Sequence, residues 1–270
     1  MNEPDMQTSS VLKMIEELLE RGELALIVTR VSGPGSVGAK LLLHDGGATG
    51  SLGDPELDSL AKARAESFLA GREETRMFSV AEFNPDFPSA SETRLLFERL
   101  QPAPRLVICG AGHVGASLAH LAAFTGYQTT LIDDRADFLS RDRFPEKEIN
   151  LVVAGEWSAA LAAAIGNGRG VSVAVVTRGH NEDEECMRAV VRAGPDYIGL
   201  IGSKRRTSIV LDRLRETGVE EEQLKNIHAP IGLDIGAVSP EEVALAIMAE
   251  IVANRRGGSG LPLRIQRQRK

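Results

Sequence analysis

Cysteine is scarce: Cys109 and Cys186 are the only two in 270 residues. Two thiols cannot build a disulfide framework or a closed cysteine metal cluster, and their scarcity fits a reducing compartment. Long apolar runs are missing too. No stretch approaches the roughly 20 residues that a membrane-spanning helix needs. The opening MNEPDMQTSS is polar and acidic, unlike a secretory leader. Positive charge is not in excess. The formal net charge is −7, which argues against broad nucleic-acid binding, because displacing counterions needs a basic surface. The H-E-x-x-H, G-x-S-x-G and P-loop patterns do not occur. No internal repeat or low-complexity segment is seen.

What is there is 43% apolar and 26% charged residues, the composition of an ordinary soluble globular protein. A cytoplasmic location without membrane or nucleic-acid partners is the expectation. The length allows two small domains, and the pattern of elements divides near Gln101-Pro102-Ala103-Pro104. Residues 1–102 read as an α+β unit dominated by local pairings. A first helix, capped by Ser9 or Ser10, carries Val11, Leu12, Ile15, Leu18 and Leu19 on one face. Strands follow at 23–31 and 39–44 with a hairpin turn at 45–47. A helix then opens at Asp54-Pro55, before strands at 75–81 and 93–100.

Residues 103–270 change to regular alternation. Short apolar strands at 106–109, 127–132, 150–154, 171–177 and 196–201 are separated by helical stretches at 113–125, 157–165 and 183–193. Continuous apolar strands alternating with helices predict a parallel sheet covered on both faces. The expected fold class is therefore α/β, a Rossmann-like doubly wound sheet preceded by the smaller α+β domain. Ser239-Pro240-Glu241-Glu242 marks a final helix, ending at Gly257. The glycine-rich HAPIGLDIG, 228–236, reads as a rigid buried loop.

Gly110-Ala111-Gly112-His113-Val114-Gly115 fits G-x-G-x-x-G between a strand and a helix. Asp133 ends the next strand, 23 positions after Gly110, near the spacing of a carboxylate that binds a ribose hydroxyl. Gly110 permits the turn, Gly112 lets backbone approach a phosphate, and Gly115 lets helix and strand sit close. The helix start then faces the anion. A tight turn without a ligand is the plain alternative. His113 is either a neighbour of the ligand or a surface residue. Asp133-Asp134-Arg135 leaves two ligands open: an acid suits NAD, and Arg135 suits a phosphate.

Ligands of open parallel sheets bind beyond the carboxyl ends of the strands. Thr177-Arg178-Gly179-His180 lies at one such end and Gly202-Ser203-Lys204-Arg205-Arg206 at another. Cations at a helix start oppose its dipole, so the second run points to an anionic partner or to nearby acids. Asp183, Glu184 and Glu185 read as simple helix-start chemistry, and Cys186 as a packing residue. The binding candidates are Gly110, Gly112, His113, Gly115, Asp133, Arg135, Thr177, Arg178, His180, Gly202, Ser203, Lys204 and Arg205. No catalytic or metal-ligating residue is assigned.

RLVICGAGHVG, LIDDR, VVTRGH, YIGLIGSKRR and HAPIGLDIGAVSPEEVALAIMAEIVANRRG together resemble the XdhC/CoxI family, and ALIVTRVSGPGSVGAKLLLHDGGATGSLG resembles its first domain. The resemblance implies a chaperone-like accessory factor rather than a metabolic enzyme. Such a factor binds molybdenum cofactor, a pterin with a phosphate or dinucleotide tail, and delivers it to a xanthine dehydrogenase-type hydroxylase. It also implies a homodimer, with a cysteine desulfurase as a further partner. An NAD(P)-dependent oxidoreductase or a dinucleotide-binding regulatory module is the alternative. Many relatives carry G-G-G-C-x-E after the first hairpin. Here that segment reads Gly50-Ser51-Leu52-Gly53-Asp54-Pro55-Glu56-Leu57, without the cysteine.

Overall fold

Two compact units, Met1–Pro102 and Ala103–Lys270, are seen in a computed structural model that describes residues 3–71 and 73–266. In the first unit, helix α1 spans Glu3–Glu20. It begins upstream of Ser9 and Ser10, so both fall inside the helix and neither caps it. Val11 and Leu18 are its buried contacts, with Met14 and Ile15 beside them, whereas Leu12 is exposed. The buried face follows the 11-14-15-18 spacing, which leaves Leu12 at its edge.

Strands β1 (Ala25–Ser32), β2 (Lys40–His44) and β3 (Gly47–Gly50) are followed by α2 (Pro55–Ala70), β4 (Thr75–Ser79) and β5 (Arg94–Leu100). They form one antiparallel sheet in the order β3-β2-β1-β5-β4. Central β1 pairs with the distant β5 as well as with β2, so the unit is less local than its hairpins suggest. Leu57, Ala61, Ala65 and Phe68 of α2 are buried over Leu26, Val28, Leu95 and Phe97. The segment that departs from G-G-G-C-x-E builds the start of α2. Asp54 accepts from the amides of Glu56 at 2.8 Å and Leu57 at 3.4 Å, and the Leu52 amide donates to Asp58 at 2.7 Å. Asp54 thus acts as a helix cap.

The second unit runs β6 (Arg105–Cys109), α3 (His113–Phe124), β7 (Gln128–Asp133), β8 (Ile149–Val153), α4 (Trp157–Ile165), β9 (Val171–Val175), α5 (His180–Ala193) and β10 (Tyr197–Leu200). It continues through α6 (Lys204–Glu216), α7 (Glu221–Lys225), β11 (Ile227–His228), α8 (Pro240–Arg256) and α9 (Leu263–Gln266). All six strands are parallel, in the order β11-β10-β9-β6-β7-β8. Counted from β6, this is the 3-2-1-4-5-6 order of a dinucleotide-binding sheet. The order reverses between β6 and β9, and the crevice at that switch point lies beyond Cys109 and Val175. One apolar layer packs α4, α5 and α6 on the sheet, and the other packs α3 and α8. Cys109 and Cys186 are both buried in the first layer, so Cys186 does pack. Among the described residues no helix is long and apolar enough to cross a membrane.

Two expectations need correction here. Helix α5 begins at His180, so its first turn holds Glu182 and Asp183. The 228–236 loop is not buried: Ile231 is, but Asp234, Ile235 and Gly236 are exposed. Its anchor is a small polar network. Tyr197 Oη donates to Glu250 at 2.6 Å, the Gly232 amide donates to the same carboxylate at 2.8 Å, and His228 lies 3.2 Å from it.

Candidate functional site

The glycine turn is shaped by close backbone approach. Gly110 has φ +109°, and a side chain there would meet the Val176 carbonyl oxygen at 2.7 Å. Gly115 is buried in the first turn of α3, against the Gly110 carbonyl, and belongs to the packing, outside the cleft lining. Gly112 differs from both. Its φ is an ordinary −65°, and a Cβ there would have nothing within 4 Å. The fold therefore does not require glycine at 112, and the space above it is open. Gly112 is also the N-cap of α3, so no side chain caps the helix start, and no acid lies in the first turn. Free amides and a positive dipole end are thus turned toward an open cradle.

Around this cradle lies a cleft of about 500 Å³, within the size range of small-molecule sites. Of the binding candidates, Gly110, Gly112, His113, Asp133, Arg135, Thr177, Arg178 and Gly202 line it. Ser203 does not; it caps α6 by accepting from the Arg206 amide at 3.3 Å. Lys204 and Arg205 are exposed and lie outside the lining. The side chain of His180 is outside the described residues. His113 sits exposed on the rim, near Glu241 at the start of α8. Glu241 is held below the ordinary carboxyl range first by its own amide and by Ser239, then by nearby His113.

Several lining residues lie outside the candidate set, although Arg206 belongs to the basic run that the sequence singled out. Phe138, Trp157 and Ile201 supply apolar wall, and Arg206 supplies a cation. Of the basic run at the start of α6, Arg206 is thus the member that reaches the cleft. It is held by Asp183, fully buried beneath it: Arg206 Nε donates to Oδ2 at 3.0 Å, and Nη2 and the Thr177 hydroxyl also donate to that carboxylate. Asp183 is therefore more than a helix-start acid. A buried charge needs a paired, hydrogen-bonded partner, and here one carboxylate orients two cleft side chains.

The other two arginines are also fixed. Arg178 donates to Asp134 at 3.0 Å and to Glu182 at 3.3 Å, bridging the ends of β7 and α5. Arg135 makes a two-pronged pair with Asp133, Nε to Oδ1 and Nη2 to Oδ2, each at 2.9 Å. Asp133 is 1% exposed. Burial alone would raise its carboxyl, but Arg135 and the amides of Ala111 and Arg135 outweigh that and hold it below the ordinary range. The expectation that Asp133 stands ready for a ribose hydroxyl therefore needs revision, since the chain itself occupies the carboxylate.

The family model of the XdhC Rossmann domain matches residues 106–251, more than half of the chain. The chain belongs to the XdhC family. The XdhC chain is similar to the uncharacterized protein YqeB of Escherichia coli K12, 33% identical over 157 residues, which are 58% of this chain and 28% of that protein. It is similar to a probable xanthine dehydrogenase subunit of Bacillus subtilis strain 168, 29% identical over 164 residues, 61% of this chain and 47% of that protein. It is also 28% identical over 155 residues to the molybdenum cofactor insertion chaperone PaoD of Escherichia coli K12, covering 57% of this chain and 41% of PaoD. The chain thus spans from about a quarter to about half of these relatives. Among solved structures, a xanthine dehydrogenase from Bacillus halodurans shares the fold, with TM-score 0.68 at 21% identity over 92% of this chain and 67% of that one.

Proposed function

We propose that this XdhC chain is an accessory factor that holds molybdenum cofactor and delivers it to a molybdenum hydroxylase of the xanthine dehydrogenase type. The observation that carries the reading is the open, uncapped cradle at Gly112 in a domain shared with a cofactor insertion chaperone. The amides at the start of α3 would hold the phosphate of the cofactor's tail. Phe138, Trp157 and Ile201 would flank its pterin, and Arg206, braced by Asp183, would add a cation. When bound, the cofactor supplies the redox chemistry that its client enzyme uses. This chain's own part is to bind and orient. Asp133, Asp134, Glu182 and Asp183 are each paired with an arginine, an arrangement that fixes the shape of the cleft.

Both cysteines are buried, so the metal end would be held without a thiol from the second unit. A homodimer, a cytoplasmic location and sulfur supply by a cysteine desulfurase belong to the same proposal. The strand order and the glycine turn favour one rival, an NAD(P)-dependent oxidoreductase.

Co-purification separates them. The chain is expressed in a host that makes molybdenum cofactor, purified anaerobically, and assayed for released pterin fluorescence and molybdenum. Both are expected in near-stoichiometric amounts. Their absence, together with turnover of NAD(P)H on a small carbonyl compound, would overturn the chaperone reading. Light scattering that shows a monomer would overturn the dimer.

A further inference from the structure

We propose that the β7 end of the cleft recognises a phosphate monoester rather than a ribose diol, so that a nucleotide bound here is of the 2′-phosphorylated class. This rests on the reading of the cleft as an anion site, not on which cofactor the chain carries.

Counting donors and acceptors leads to it. An ionised carboxylate offers about four acceptor positions. Asp133 Oδ1 accepts from the amide and from Nε of Arg135, both at 2.9 Å. Its Oδ2 accepts from the Ala111 amide at 2.6 Å and from Arg135 Nη2 at 2.9 Å. The chain fills every position. A ribose diol, which must donate to a carboxylate, finds no vacancy on Asp133 without breaking a buried pair. Asp134 also lines the cleft, but each of its oxygens faces a guanidinium, Oδ2 accepting from Arg178 at 3.0 Å and Oδ1 lying 3.7 Å from Arg135 Nε as an ion pair.

Arg135 has the opposite balance. A guanidinium carries about five N–H donors, and two of them go to Asp133. The rest are outside that pair, on a side chain that is 29% exposed and lines the cleft. The guanidinium is also held flat, with its carbon 3.7 Å from the centroid of the Phe138 ring. Arg143 lies over the same ring at 5.4 Å and donates to the Phe138 carbonyl at 2.5 Å. The strand end thus presents a fixed, planar donor to the cleft. That chemistry accepts a phosphate, whose oxygens are all acceptors.

The test is isothermal titration of the full chain, freed of cofactor, with NADP⁺ and NAD⁺. NADP⁺ should bind at least about tenfold tighter, the scale of one charge-assisted hydrogen bond. Arg135→Lys keeps a cation on Asp133 but loses the planar fork, and it should shrink the preference to less than about threefold. Equal or tighter binding of NAD⁺ overturns the inference, and so does failure of both to bind at millimolar concentration. An unchanged preference in a folded Arg135→Lys protein moves the selectivity elsewhere and overturns it as well. The chaperone reading fails by a different sign, loss of pterin and molybdenum from the purified chain. Recovered pterin without NADP⁺ preference would therefore sink this inference alone.

Discussion

A side chain on Gly115 would place its first carbon 1.8 Å from the carbonyl oxygen of Gly110. That oxygen belongs to backbone in the tightest part of the turn, so it cannot swing aside as a flexible side chain would. Gly115→Ala should therefore destabilise the second unit by about 3 kcal/mol. Urea denaturation would show a lowered midpoint, and an unchanged midpoint would mean that the turn has slack which the geometry does not reveal.

Gly112 predicts the reverse pattern. A methyl group at 112 meets nothing within 4 Å, and φ is −65°, so Gly112→Ala should keep stability within about 0.5 kcal/mol. Its effect should fall on ligand retention, because the methyl would fill the cradle where a phosphate approaches the amides. Pterin and molybdenum recovered per mole of folded protein measure this. Full retention would place the phosphate elsewhere.

Much of this region was legible from the residues. The glycine spacing, the alternation of apolar strands with helices and the Pro-rich junction are local patterns, and local patterns survive into the fold. Residues whose roles depend on distant partners were not legible. Arg206 meets Asp183 across 23 positions, and nothing in "KRR" or "DEE" says which cation or which acid is used. Asp133 matched its expected place at the end of β7, but its pairing with Arg135 depends on side-chain direction, which spacing does not encode. Strand β11 has two residues, too few for any periodicity. Phe138 follows β7 and Trp157 follows β8, so their meeting in one cleft is set by the order of strands in the sheet and not by local sequence.

The Asp183–Arg206 pair should be expensive to break. Asp183 is fully buried. Asp183→Asn would leave the guanidinium without its charge partner and remove one acceptor from the pair and from Thr177. A loss of about 3–5 kcal/mol is expected. The double variant Asp183→Leu with Arg206→Met should recover much of it, because an apolar pair of similar size needs no desolvation of charge. Denaturation midpoints of the three proteins decide this. A double variant no more stable than Asp183→Asn would mean that the network does more than neutralise charge.

The Glu250 network gives a pH dependence. Burial alone would raise the Glu250 carboxyl, but His228, Tyr197 and the Gly232 amide outweigh it and hold it below the ordinary range. A folded-state pKa below the unfolded one means that the unfolded chain binds the proton first. The stabilisation is therefore complete above the unfolded carboxyl pKa, about 4.3, and is lost as pH falls through the folded value. Glu250→Gln should be less stable than the wild type at pH 6, and the gap should narrow toward pH 3. Thermal melts across that range would test it, and a gap that stays constant would remove Glu250 from the acid limb.

Gly199 and Ile231 should behave as a coupled pair. A Cβ at 199 would lie 2.2 Å from Ile231 Cδ1 and 2.5 Å from its Cγ1. Ile231 is 8% exposed and its amide donates to the Leu200 carbonyl at 2.9 Å, so the side chain lies directly over β10. Gly199→Ala should cost about 1–3 kcal/mol by overpacking. Ile231→Ala should cost about 2–5 kcal/mol by leaving a cavity. Together the two changes relieve each other, since the shortened side chain vacates the space that the new methyl enters. The double variant should fall short of the summed losses by about 1 kcal/mol or more. Strict additivity in denaturant titrations would show that the loop moves as a whole rather than yielding at Ile231. In that case the Glu250 contacts of Gly232 and His228 should weaken in Gly199→Ala alone, and its acid limb should flatten.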